Sequence, residues 1–175
     1  AGEAAIAAAG GKALIFRLGW VFGARGESFI KTVLRAARDG QPLDLSANEI
    51  GSPTPAALVA TVTGVVLAQL RQGGGLAAHE QRTYHLAGKG ALSRRAFGEA
   101  IVDQARRTPG FALRLGAPDL TVAQDAGSDR VGGASGVNFS LDCRRLERDT
   151  GLIMPEWEPY LERMLQLLSV KRNGY

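Results

Sequence analysis

Residues 19–26 read GWVFGARG, with glycines at Gly19, Gly23 and Gly26. An apolar run, ALIFRL (residues 13–18), precedes this stretch, and a helix-like segment, ESFIKTVLRAARDG (27–40), follows it. Strand, glycine turn, helix is the order expected of a phosphate-binding loop, whose dinucleotide form is G-x-G-x-x-G with an acidic residue about 20 positions on. The spacing here is G-x-x-x-G-x-x-G, with Asp44 as the loosely matching acid. Trp20, Phe22 and Arg25 occupy positions where bulk would keep the backbone away from a pyrophosphate. A helix opening on Glu27 would also repel an anion at its N-terminus. The other reading is a turn at the C-terminal end of a sheet strand, where open α/β sheets bind ligands. There a flat Trp20 could stack on a ring and Arg25 could reach a phosphate. Composition alone slightly favours the plainer reading, in which Trp20 and Phe22 only fill a core.

Outward from that turn, strand-like and helix-like segments alternate, which argues for an α/β fold. Residues 1–9 are Ala-rich and predict a helix ended by Gly10-Gly11. The run at 12–18 reads as a buried parallel strand interrupted by Arg17. Residues 27–38 carry an apolar stripe and read as a helix, followed by a short strand at 42–46. GSPTP (51–55) reads as a turn, with Thr54 as N-cap of a helix over 56–71. That helix segment carries no charge from Ala56 to Leu70 and is expected to be buried on most sides. An exposed loop (72–81) and a strand at 83–88 follow. Ser93 is placed as cap of a helix over 94–107. FALRLG (111–116) alternates like a half-buried strand, and 125–138 is a polar, Gly-rich loop. Further helices are expected over 141–151 and, opened by Pro155, over 156–170.

The chain has 175 residues, of which 45% are hydrophobic and 22% charged, with a net charge of +4. Its cations are scattered in pairs such as Arg94-Arg95 and Arg144-Arg145, read as solvated helix faces, with an anionic small ligand as the alternative for a few of them. No run of five like charges marks a nucleic-acid tail. One cysteine, Cys143, and two histidines, His79 and His85, offer neither a disulfide nor a thiolate metal set. The 56–70 run is too short to span a bilayer. The expectation is a cytoplasmic protein with no membrane or nucleic-acid partner.

A family resemblance rests on motifs in order along the chain. Arg17, Trp20, Val21 and Gly23 match R-T-S-W-V-Y-G. Phe29 and Leu34 match N-F-x-x-x-M-L-x-L-A. Gly51, Pro53 and Thr54 match D-Q-x-G-x-P-T, and Tyr84-His85-Leu86 matches Y-H-L. Residues 154–165, MPEWEPYLERML, resemble a closing P-x-W…L-x-x-M-L helix. Together they resemble the C-terminal half of the dTDP-4-dehydrorhamnose reductases, members of the extended short-chain dehydrogenase/reductase class.

The resemblance implies the C-terminal part of a Rossmann-type domain (1–25 with 52–88) and a small α/β substrate-binding lobe (26–51 with 89–175). It implies NADPH, or NADH, as cofactor, Mg2+ as a candidate ion, and a dTDP-sugar as substrate. Trp20, with Phe22 and Arg25, is the implied substrate contact, and Leu18 and Gly19 would lie near the nicotinamide. Ala1-Gly2-Glu3 matches the end of Y-x-x-x-K-x-x-G-E. No catalytic residue is therefore expected in this chain, because Tyr and Lys would precede Ala1 and the N-terminal cofactor-binding half would be absent. Such a fragment is expected to be inactive alone, and to form a homodimer or to associate with its missing half. Three departures stand out: Leu18-Gly19 for Thr-Ser, Asn48-Glu49 for Asp-Gln, and residues 135–146 for R-P-x-N-S-x-L. The first two are compatible with a second reading, a non-catalytic relative resembling the regulatory subunit of methionine adenosyltransferase. A third reading is a generic α/β domain.

Overall fold

The structure, a computed structural model, describes residues 2–73, 81–116, 119–122 and 137–172. His79 and most of the polar loop expected at 125–138 lie outside the described residues.

The pattern of short apolar strands and amphipathic helices gives six helices and nine short strands among the described residues. Helix α1 (Gly2–Ala9) leads into β1 (Ala13–Leu18), which pairs in parallel with β6 (Gln81–Leu86), Ala13 opposite Gln81 and Leu18 opposite Leu86. Parallel pairing demands a crossover, and α3 (Ala56–Arg71) lies within it. Arg17, the one charge in β1, points to the exposed side, where Glu3 of α1 accepts two hydrogen bonds from it at 2.8 and 2.6 Å.

After β1 the chain enters β2 (Trp20–Phe22), which pairs in parallel with β5 (Pro53–Pro55). The segment read as a turn with a Thr54 cap is thus the end of β4 (Ile50–Gly51) followed by a buried strand. Thr54 is fully buried and its hydroxyl donates to the Ser52 carbonyl, while Pro55 takes the N-cap position with no side-chain bond. Strand β5 pairs with β2 on one side, and on the other the Pro53 carbonyl accepts the Gly88 N–H at 3.0 Å.

Helix α2 (Phe29–Asp39) starts two residues later than expected, because Ser28 caps it by accepting the Lys31 N–H. Glu27 therefore lies outside the helix. Strand β3 (Asp44–Leu45) pairs with β8 (Thr121–Val122), and β4 lies between β7 (Leu92–Ser93) and β9 (Asn138–Phe139). Helix α4 (Arg94–Arg107) is capped as expected, the Ser93 hydroxyl accepting the Ala96 N–H. Residues 111–116 form no strand. The Arg114 and Leu115 N–H groups both donate to the Ala37 carbonyl, and Phe111, Leu113 and Leu115 lean on the core at the end of α2. Alternation here records packing against a helix without a ladder. Helix α5 (Arg144–Thr150) is shorter than the expected 141–151, and α6 (Glu158–Arg172) starts beyond Trp157.

Two hydrophobic clusters result. One joins α2, α4 and α6 around Phe97, with Phe22, Leu45, Leu120 and Trp157. The other joins α3 to the β1–β6 pair, with Leu146 and Met154. Phe22 packs with the first cluster and Leu146 with the second, so the packing crosses the boundary expected at residues 25 and 89. Helix α3 is not buried on most sides: Leu58, Val62 and Val66, one residue per turn, are its buried side chains. Lack of charge permits burial, but among the described residues only this one stripe of α3 finds full apolar cover.

Candidate functional site

The GWVFGARG turn begins where β1 ends. Leu18, the last residue of β1, keeps 39% of its surface exposed. Gly19 then passes so close to β5 that a Cβ would lie 2.2 Å from the Ser52 carbonyl oxygen. Its N–H donates to the Thr54 hydroxyl at 3.1 Å, and the Trp20 N–H donates to the Ser52 carbonyl at 2.8 Å. Strand contact by itself therefore accounts for a glycine at position 19.

Trp20 is half-buried. Its ring stacks near Phe97 (centroids 6.0 Å apart, planes at 19°), and the Arg94 guanidinium lies 3.7 Å over the indole centroid. Arg94 is also 4.8 Å from the Phe29 ring centroid and donates to a Glu49 carboxylate oxygen at 2.6 Å. Phe22 is 4% exposed and packs against Phe97. Arg25 is at the rim of a cavity of about 550 Å³ whose floor includes Phe22, Pro55, Tyr160 and Met164. The structure thus brings Phe22 and Arg25 to one cavity, places Trp20 in an aromatic cluster beside it, and leaves Leu18 and Gly19 at the strand end.

Arg94, read from the sequence as part of a solvated helix face, is instead largely covered by the Trp20 and Phe29 rings and by Glu49, which the sequence marked only as a departure from the family pattern. The signal was present. Helix α4 opens on two arginines and has no acid in its first turn, against the preference of a helix N-terminus for negative charge.

A second cavity, of about 530 Å³, is polar and is lined by Arg17, Thr83, His85, Asp142, Arg144, Arg145 and Arg148. Hydrogen bonds from Arg144 hold the Asp142 carboxyl down to about 2. Burial pushes the Cys143 thiol up, and the nearby Glu147 and Asp142 add to this. Among the described residues no group of three or more His, Cys, Asp or Glu could hold a metal ion, and nothing in the structure supports the candidate Mg2+. Among them, too, no helix is long and apolar enough to cross a membrane.

The family model described as the RmlD substrate binding domain matches residues 1–170. The chain belongs to that family. It is 33% identical over 159 residues to a dTDP-4-dehydrorhamnose reductase of Burkholderia thailandensis, covering 89% of this chain and 52% of that protein. It is 32% identical over 167 residues to the enzyme of that name from Salmonella typhimurium, covering 94% and 52%. The chain therefore spans about half the length of the curated relatives it matches. Among solved structures, the dTDP-4-dehydrorhamnose reductase of Bacillus anthracis in complex with NADP superposes with a TM-score of 0.60 at 24% identity, over 86% of this chain and 47% of that one. A dTDP-glucose 4,6-dehydratase of Streptomyces venezuelae gives 0.63 at 17%, over 93% and 45%. These likenesses establish the fold, that of the Rossmann-type extended short-chain dehydrogenases/reductases, of which this chain matches roughly half.

Proposed function

We propose that this chain is the substrate-binding part of a cytoplasmic, NADPH-dependent sugar-nucleotide reductase acting on the 4-keto group of dTDP-4-dehydro-L-rhamnose. The observation that carries the reading is Trp20 held on a fixed aromatic cluster at the end of β1, in a chain of this family. Bound NADPH supplies hydride to a carbonyl carbon. The chain's own residues bind and orient. Trp20 offers the apolar surface a sugar ring packs on, and Arg25, at the cavity rim over Phe22, offers a guanidinium to a diphosphate. The exposed Leu18 gives the nicotinamide an apolar contact, and Gly19 keeps the backbone there flush with β5. None of these groups donates the proton that must reach the new alkoxide, so the chain alone transfers no hydride. Residues 1–25 with 52–88 are assigned to the cofactor side and 26–51 with 89–175 to the substrate side, with α5 bridging them. Association, with a second copy or with a cofactor-binding half, would use α1 and β1, neither of which has a fully buried residue.

A chimera tests this reading. The chain replaces the matching C-terminal half of the Burkholderia thailandensis reductase, and NADPH oxidation is followed with dTDP-4-dehydro-L-rhamnose. The expected result is substrate-dependent oxidation by the chimera and none by the chain alone. A folded chimera that binds NADPH and leaves this sugar nucleotide unreduced contradicts the reading.

A further inference from the structure

We infer that Arg94, clamped by Glu49, is a positioning residue that fixes the plane of the Trp20 indole. The inference deepens the functional reading above and rests on it for the identity of the ligand.

The geometry is that of a plate held in place by its neighbours. On one face the Arg94 guanidinium lies 3.7 Å from the indole centroid, within the range of a cation–π interaction. At the six-membered ring, Gly51 approaches so closely that a Cβ would sit 2.2 Å from Cε2. Arg94 is itself fixed twice: Glu49 accepts from its guanidinium at 2.6 Å, and the Glu49 carbonyl accepts from its backbone N–H at 2.9 Å. Its side chain keeps only 21% of its surface exposed. A cation in the first turn of α4 opposes the helix dipole. Arg95, next to it, is offset within the helix by Glu99. Arg94 instead draws its compensation from Glu49 and from the faces of Trp20 and Phe29. Only a planar cation can lie flat on a ring while keeping in-plane donors for a carboxylate, which separates arginine from lysine here. A ligand ring then meets an indole whose tilt is already set by Arg94, Gly51 and Phe97.

The test uses the whole chain, labelled with nitrogen-15. The chain has two tryptophans, so two indole N–H signals are read, and Trp20→Phe assigns them. Arg94→Lys and Glu49→Gln are expected to move the Trp20 signal and raise its quenching by acrylamide, leaving the Trp157 signal in place. Arg95→Gln is expected to move neither. Binding is then compared for dTDP-L-rhamnose and dTDP. Arg94→Lys should weaken the sugar nucleotide roughly three- to tenfold and leave dTDP unchanged, the size expected when one cation–π interaction no longer holds the Trp20 ring. An unmoved Trp20 signal in Arg94→Lys overturns the inference, as does equal weakening of both ligands. If Arg94→Lys fails to fold, by loss of its far-ultraviolet circular dichroism, Glu49→Gln carries the same readouts. If the wild-type chain binds neither ligand, the functional reading fails, and the indole signals still decide whether Arg94 sets the ring.

Discussion

The two packed clusters differ in how far this chain closes them. Around Phe97 the chain surrounds one ring with four others. Trp20, Phe22, Phe29 and Trp157 have centroids 6.0, 6.0, 5.7 and 5.2 Å away, and Ile101, Val102 and Ala105 are fully buried on the same helix. Beside the β1–β6 pair, β1 is no more than half-buried, α1 buries nothing, and α3 leaves Leu67 49% exposed. The aromatic cluster is complete in its own right and carries Trp20. The sheet cluster is open on the side where Leu18 ends β1. On the function proposed above, a binding surface that must hold one geometry sits on the closed cluster, where close neighbours fix the rotamers.

The largest expected effect tests that difference directly. Phe97→Ala removes the ring at the centre of the closed cluster and is expected to cost about 3–5 kcal/mol in urea unfolding. Leu67→Ala on the open side should stay within about 0.5 kcal/mol. Equal costs would erase the distinction. Between the clusters lies Gly19, where a side chain meets the Ser52 carbonyl. Gly19→Ser is expected to cost about 1–3 kcal/mol by forcing β2 away from β5, and to shift the Trp20 signal that reports on it.

A smaller effect probes the edge of the open cluster. Cys143 packs there and its thiol is pushed up by burial, so alkylation at mildly alkaline pH should be several-fold slower in the folded chain than in urea. A rate equal to that of the unfolded chain would show the thiol to be unprotected by the cluster. The smallest concerns Asp142, exposed on the polar cavity. Its carboxyl lies at about 2 when folded, against an ordinary 3.8, so its contribution to stability is present above the ordinary value and is lost as pH falls towards 2. Solvent exposure keeps that contribution slight. A carbon-13 titration should find the midpoint near 2, returning towards the ordinary value in Arg144→Gln.

Much of this was legible in the residues. The stripe Ile30, Val33, Leu34 and Ala37 and the Ser93 cap marked two helices, and the order of matched motifs marked the fold. What failed did so for local reasons. Thr54 looked like a cap because Pro55 follows it and a charge-free helix comes next, yet the pairing of β5 with β2 drew its hydroxyl into a buried contact with Ser52 and Gly19. Residues 111–116 alternate because α2 needs a cover on one side, and no periodicity distinguishes that from a strand. The site was half legible. Trp20 stood out as a flat aromatic in a glycine turn. Arg94 and Glu49 are 45 residues apart, and their pairing exists only once β4 and β7 are joined.

The central claim is that Trp20 receives a dTDP-linked sugar. Calorimetric titration of dTDP-L-rhamnose into the chain and into Trp20→Ala tests it most directly. The account predicts saturable binding by the wild type, weakened at least about tenfold in Trp20→Ala, as for a ring at the centre of a binding site. Equal affinity in the two proteins, or no binding by a folded wild type, contradicts it.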